Sequence, residues 1–286
     1  MRNLLKQGLK RLVERDDRRA RGPHQAVVIA VAAQKGGVGK TTTTVNLGAA
    51  LAALGKRVLV IDLDAQGHVE RSLSSQVKPG GGRLSSILEA DPSGDVLDAA
   101  TRTTIAGLDI TPADARLRES ENLLTTRMGK EFILRDALAV TRTWYDVILL
   151  DCPPNLGNLT LNALVAADRV LVPCDPTPLA MQGVEALIDT CAAISERLNP
   201  AIDVLGVVVT RFDGRNQTLN DQIIGEMTEA WGDALFPARI GINTSLARAQ
   251  AEGADIFTFA PKSRGAKDYA ELAQQVAARL GWAAAA

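Results

Sequence analysis

The chain is poor in the residues that metal, redox and membrane proteins depend on. Aromatics make up only 3% of its 286 residues, so the core it builds is aliphatic, drawn from Leu, Val, Ile and Ala. Two histidines are too few to assemble a metal cluster, and His68 reads as a loop or surface residue. Cys152, Cys174 and Cys191 show no C-x-x-C spacing, suit a reducing cytosol and read as buried packing. No apolar run approaches the roughly 20 residues of a membrane span, and no signal-peptide pattern opens the chain. A formal net charge of −1 gives no overall pull toward a polyanion, so a nucleic-acid surface would have to be a local patch. With 46% hydrophobic and 23% charged residues, the chain has material for one large α/β domain.

The most informative stretch begins at Ala26. Residues 26–33 form a continuous apolar run rich in β-branched side chains, as a strand buried on both faces of a parallel sheet does. After it come Gln34-Lys35-Gly36-Gly37-Val38-Gly39-Lys40-Thr41-Thr42, and then Thr43 to Leu54, whose Val45, Leu47, Leu51 and Leu54 predict a helix. Strand, glycine-rich turn and helix form the context in which G-x-x-x-x-G-K-[ST] signifies a phosphate loop. Lys35 stands where the first glycine usually falls. Gly36, Gly37 and Gly39 let backbone N–H groups turn inward around phosphate oxygens. Lys40 can reach the β- and γ-phosphates, and the Thr41 hydroxyl can ligate Mg²⁺.

Two strands bring carboxylates to this loop. Residues 56–64 end in Asp62 and Asp64, which strand alternation sets on one face, one for the Mg²⁺ shell and the other for a water at the γ-phosphate. Residues 144–151 run through four apolar side chains into Asp151, the pattern of a Walker B strand. Between them the sequence predicts a loop at 79–82, a short helix at 84–88, a strand at 108–112 and a helix over 120–140. Strands at 168–173 and 203–210 and helices at 180–198 and 216–231 follow. The alternation predicts an α/β P-loop NTPase fold with a mostly parallel central sheet flanked by helices on both faces.

The chain divides into a basic amphipathic extension and linker at 1–25, a single ATPase domain at 26–282 and an alanine tail at 283–286. The extension sets Leu4, Leu5, Leu9, Leu12 and Val13 on one helical face among Arg and Lys. A solvated helix, a membrane-surface helix, a DNA-contacting arm and a partner-docking helix all fit it.

The run Lys35-Gly36-Gly37-Val38-Gly39-Lys40-Thr41-Thr42 resembles the deviant Walker A box of the ParA/MinD class, and most of all the ParA (Soj-type) partition ATPases. The similarity extends from about Val27 to about Val276. It implies that Lys35 is the signature lysine, which crosses a dimer interface to the partner's nucleotide. Asp64 falls at the second aspartate of the family's D-x-D-P-Q box, which prepares the attacking water; Ala65 replaces the proline. Asn155-Leu156-Gly157 resembles the switch II loop, with Asn155 in place of serine. Residues 240–249 resemble the segment that packs on adenine, with Asn243 able to read the base. Ser245 stands where relatives often carry a DNA-binding arginine, leaving Arg215, Arg239, Arg248, Lys262, Arg264 and Lys267 as candidate DNA contacts. The resemblance thus implies a cytoplasmic, nucleoid-associated, Mg²⁺-dependent ATPase that dimerises on ATP. Such a dimer binds DNA without sequence choice and responds to a ParB-like or cargo-adaptor activator. A MinD-like ATPase on the membrane surface is the alternative, although such proteins usually carry their membrane helix at the C-terminus. A cluster-bearing electron-transfer enzyme on the same scaffold would need paired subunit cysteines, and Cys152 lies too close to the phosphate site to serve.

Overall fold

The apolar run at 26–33 does form a strand, β1 (Val27–Val31), and the molecule is arranged around it. The computed structural model describes residues 25–90, 94–215 and 217–282; apart from Gln25, the basic extension and the alanine tail lie outside them. Adjacent to β1 on one side is β5 (Val147–Asp151), then β2 (Val58–Asp62), β4 (Leu108–Thr111) and the two-residue β3 (Thr101–Arg102). On the other side lie β6 (Arg169–Cys174), β7 (Asp203–Phe212) and β8 (Leu235–Gly241). Every pairing is parallel except β3 with β4. The chain leaves β1 toward β2 on one side and later fills β6 on the other. A crevice therefore opens above the carboxyl end of β1, where open α/β sheets hold ligands.

Both sheet faces are covered, as the unbroken hydrophobicity of the strands requires. Val28 and Ala30 point into one core, which is closed by α6 (Asn158–Ala166), α7 (Pro178–Arg197) and α8 (Gln217–Trp231). Ile29 and Val31 point into the other, against α1 (Lys40–Ala53) and the helices that end the described chain. These last are α9 (Thr244–Ala251), α10 (Ile256–Phe259) and α11 (Arg264–Arg279). Tyr269 and Phe236 are fully buried in this second core and are the largest of its side chains.

The structure corrects the sequence reading at several elements. The helix expected over 120–140 is broken into α4 (Leu117–Leu124), a 3₁₀ turn (Lys130–Phe132) and α5 (Ile133–Ala137). Gly129 takes φ 66° ahead of the turn, a left-handed conformation that ends a helix. The Arg127 guanidinium ties the connection to Leu88 O and Ala90 O, beside α3 (Leu84–Glu89). His68 lies in a helical turn, α2 (His68–Ser72), rather than a loop. Strand β8 is not among the strands expected from the sequence, because Pro237 and Arg239 interrupt its pattern. As the edge strand it exposes both, while Phe236, Ala238 and Ile240 face the core. The helix after the glycine-rich turn starts at Lys40, three residues before the predicted Thr43.

Candidate nucleotide site

The loop between β1 and α1 is shaped by two of its three glycines. Gly37 (φ 74°) and Gly39 (φ 87°) hold left-handed backbone that a side chain would strain, whereas Gly36 does not. Gly39 is the N-cap of α1 and has no side chain to offer, so the first N–H groups of the helix stay available to an anion. Two contacts from β7 brace the loop from the side. The Thr210 hydroxyl donates to Val38 O at 2.7 Å, and Arg211 Nη1 donates to Gly37 O at 3.1 Å.

Lys40 is 8% exposed, and its ammonium donates to Lys35 O at 3.2 Å. Burial lowers its pKa, an effect opposed by the nearby Asp151 carboxylate. The lysine is thus folded back across its own loop and positioned for a phosphate that would take the carbonyl's place. Thr41 and Thr44, three residues apart on one helix face, both reach the end of β5. The Thr41 hydroxyl donates to Asp151 Oδ2 at 2.7 Å and the Thr44 hydroxyl to Asp151 Oδ1 at 3.0 Å. Thr44 was missed in the sequence because its neighbours are also threonine; the spacing from Thr41 was the available signal. Thr42 offers its carbonyl to Asn46 Nδ2, and Asn46 Oδ1 accepts from Ile256 N, which ties α1 to α10.

Asp62 and Asp151 are register partners on adjacent strands, each 0% exposed. Burial is the main reason that both carboxyls have raised pKa values, and for Asp62 the charge of Asp151 adds to it. Strand β2 stops at Asp62, so the alternation argument does not extend to Asp64. Both Asp62 oxygens are engaged by backbone instead, Oδ1 by Asp64 N and Oδ2 by Val69 N, each at 3.0 Å. Asp62 therefore builds the turn that presents Asp64. In that turn Asp64 Oδ1 accepts from Gln66 N at 3.0 Å, and the side chain is half-buried at the crevice.

The donors fit Mg²⁺, a hard cation that takes oxygen ligands and keeps several waters. Thr41 offers a hydroxyl, and Asp151 a carboxylate that the two threonine hydroxyls already orient. Among the described residues no group of three or more His, Cys, Asp and Glu could cage a metal.

A cavity of about 270 Å³ opens beside the loop. Gly37, Thr42, Arg211, Gly241 and Asn243 are among its lining residues. Asn243 caps α9 by accepting from Ser245 N at 2.8 Å, so its amide oxygen is engaged and its Nδ2 remains to donate. Its Nδ2 can therefore donate to an acceptor on a base, while its oxygen keeps a second lone pair. Arg211 is the single non-glycine residue with positive φ (53°) among the described residues, and it borders this cavity.

The basic candidates lie around the same end, all exposed and most engaged with neighbours. Arg215 pairs with Asp213 at 2.7 Å, and Arg264 lies 3.9 Å from Asp268. Arg239 stacks over Phe212 and Arg248 over Phe259. Lys262 and Lys267 are exposed on either side of the start of α11.

A phosphate loop above the central strand of a mostly parallel sheet, with buried carboxylates ending the two strands to one side of it, defines a P-loop nucleotide-binding protein. The family model described as AAA domain matches residues 26–204. The chain is 39% identical to the sporulation initiation inhibitor protein Soj of Bacillus subtilis over 251 residues, 88% of this chain and 98% of Soj. It is equally identical to the chromosome partitioning protein ParA of Caulobacter vibrioides, over 88% of this chain and 94% of that one. The chain belongs to the ParA/Soj family of partition ATPases. Among solved structures, a Mycobacterium smegmatis protein named cobyrinic acid a,c-diamide synthase, with bound ATP analogue and magnesium, superposes with TM-score 0.74. It is 33% identical over 87% of this chain and 93% of its own. The septum site-determining protein MinD of Pyrococcus horikoshii, at 22% identity and TM-score 0.69, shares the fold over 88% of this chain and 96% of its own.

Proposed function

We propose that the protein is a Mg²⁺-dependent ATPase of partition or positioning, active as an ATP-bound dimer that binds DNA without sequence preference. A ParB-like or cargo-adaptor protein stimulates hydrolysis and releases the dimer from DNA; the cargo is a chromosome site, a plasmid or a protein cluster. The observation that carries this reading is the pair of lysines at the loop. Lys40 lies across the phosphate position, while the side chain of Lys35 points away from it, toward the start of α7.

In this reading the N–H groups of the loop and the Lys40 ammonium hold the phosphates. Thr41 and Asp151 would hold Mg²⁺, which when bound would supply charge neutralisation at the phosphate oxygens. Asp64 holds a water in line, with Asp62 fixing the turn beneath it. Lys35 of the partner subunit stabilises charge on the transferring phosphoryl group. Asn243 donates to the base. No cysteine has a part in this reading. All three are buried, and burial pushes Cys191 up to about 11, Cys174 up to about 12 and Cys152 higher still.

The test is light scattering with sizing chromatography, with ADP and with a slowly hydrolysed ATP analogue. Wild type is monomeric with the first and dimeric with the second, whereas Lys35→Ala binds ATP and stays monomeric. A dimer unchanged by Lys35→Ala removes that residue from the trans role. Pelleting the ATP-bound dimer with DNA and with anionic vesicles separates partition from membrane positioning.

A further inference from the structure

Lys35 has a partner within its own chain. Its ammonium donates to Asp175 Oδ2 at 2.9 Å and Oδ1 at 3.1 Å, and lies 3.3 Å from the Thr177 hydroxyl. The pair is well shielded from water, with the Asp175 side chain 15% exposed and that of Lys35 33% exposed. Both acceptors are held in place by the turn that joins β6 to α7. Thr177 N donates to Asp175 O at 2.8 Å, and the Thr177 hydroxyl caps α7. The other end of Lys35 is held as well, since its carbonyl accepts from Lys40. Just after this turn, Leu179 in the first turn of α7 is 67% exposed.

We propose that Asp175, seconded by Thr177, is an in-chain latch that withholds Lys35 from the dimer and so sets the ATP level at which dimers form. The inference rests on the trans role of Lys35 proposed above. One ammonium cannot lie between both Asp175 oxygens and also reach a nucleotide bound to another copy, so each subunit breaks its ion pair on assembly. Two pairs break per dimer, which squares the effect of the latch on the dimerisation constant. Asp175 is thus a positioning residue acting through Lys35, and needs no contact with nucleotide. Binding of ATP draws Lys40 off Lys35 O, which frees one anchor of the latched residue before the other is broken.

Two measurements test the latch. The first uses the nucleotide-free monomer and does not depend on dimerisation. Brief labelling with an amine-reactive reagent, quantified by peptide mass spectrometry, should modify Lys35 several-fold faster in Asp175→Asn than in wild type, with the other lysines unchanged. Equal labelling overturns the latch. The second titrates dimer formation with the slowly hydrolysed ATP analogue. Asp175→Asn should dimerise at about threefold to tenfold lower analogue concentration, as expected for two partly shielded ion pairs. In a Lys35→Ala background the same substitution should leave the chain monomeric. Dimers gained without Lys35, or no shift in its presence, overturn the proposal. Failure of the wild type to dimerise at all would instead overturn the trans role, while the labelling result still decides whether the in-chain pair exists. Asp175→Ser supports the same measurements should the Asn variant fold poorly.

Discussion

The two ends of the crevice are built on opposite principles. At the phosphate end the charged groups are buried and already fixed: Lys40 on Lys35 O, Asp151 on Thr41 and Thr44, and Asp62 on two backbone N–H groups. At the basic rim the charges are exposed and lean on neighbours that water can replace. The side chain of Arg215 is 86% exposed beside Asp213, and that of Arg264 is 60% exposed beside Asp268. The first arrangement suits chemistry, because dipoles oriented in a dry site need no reorganisation when charge develops. The second suits a surface that must bind and release, because each exposed contact is weak and screened by salt. Substitutions at the two ends should therefore differ in size, sharpness and response to salt.

The largest effect belongs to Lys40→Ala. Removing a buried cation aimed at a phosphate costs about 3 kcal/mol or more, so nucleotide affinity should fall at least ~100-fold. Thermal stability without nucleotide should hold or rise, since burial already disfavours the charge. Calorimetric titration with ATP and Mg²⁺ measures the first and a melting curve the second. Residual affinity within threefold of wild type would erase the contrast between the two ends.

Asp151→Asn sharpens the contrast from the opposite direction. Burial pushes the Asp151 carboxyl up to about 6 in the folded chain, above the ordinary aspartate value, so the folded state keeps this proton longer than the unfolded one. Stability from this group is therefore fullest at low pH, is lost as pH rises through about 6, and stays lost above it. The amide keeps an acceptor for one threonine hydroxyl and can donate to the other. Nucleotide-free Asp151→Asn should then be more stable than wild type at pH 7.5, by on the order of 2 kcal/mol, with the gap closing toward pH 4.5. Magnesium-dependent nucleotide binding should weaken at the same time, as at sites where function is kept at the expense of stability. Denaturant midpoints at the two pH values decide it, and a gap independent of pH would sink the argument.

The same division explains what could be read from the residues alone. The strand before the phosphate loop, the loop itself, and Asp62 and Asp151 at strand ends were legible because apolar runs with terminal acids leave few alternatives. The separate tasks of Asp62 and Asp64 were not, since they depend on where β2 stops and on two backbone N–H groups from the following turn. Nor was the hold of Asp175 on Lys35, which joins residues 140 positions apart through a turn with no motif of its own. The helix expected over 120–140 failed for a related reason. Its periodicity was real on either side of Gly129, but the tie from Arg127 to the end of α3 is a tertiary contact that no local window contains. At the rim, charge alone marked the candidates, and the paired aspartates and aromatic rings became visible only in the fold.

The smallest effect is expected at that rim. If Arg248 and Arg264 touch DNA phosphates, each must give up part of an in-chain interaction, with Phe259 and Asp268 respectively. The net gain per contact is then below that of an unengaged arginine, and Arg248→Ala with Arg264→Ala should weaken ATP-dependent DNA binding only about threefold to tenfold at moderate salt. The loss should be the same for unrelated DNA sequences, because phosphate contacts carry no base information. Charge reversal, Arg248→Glu with Arg264→Glu, should deepen it, since repulsion is added to lost attraction. In both double variants the slope of log affinity against log salt should fall by about 0.9 for each phosphate contact removed. ATP-driven dimerisation should stay intact, which separates this face from the latch at Asp175 and from the phosphate loop. A reversed double variant with normal DNA affinity would clear this rim of the role, and loss of binding on deleting residues 1–22 would then assign it to the basic extension.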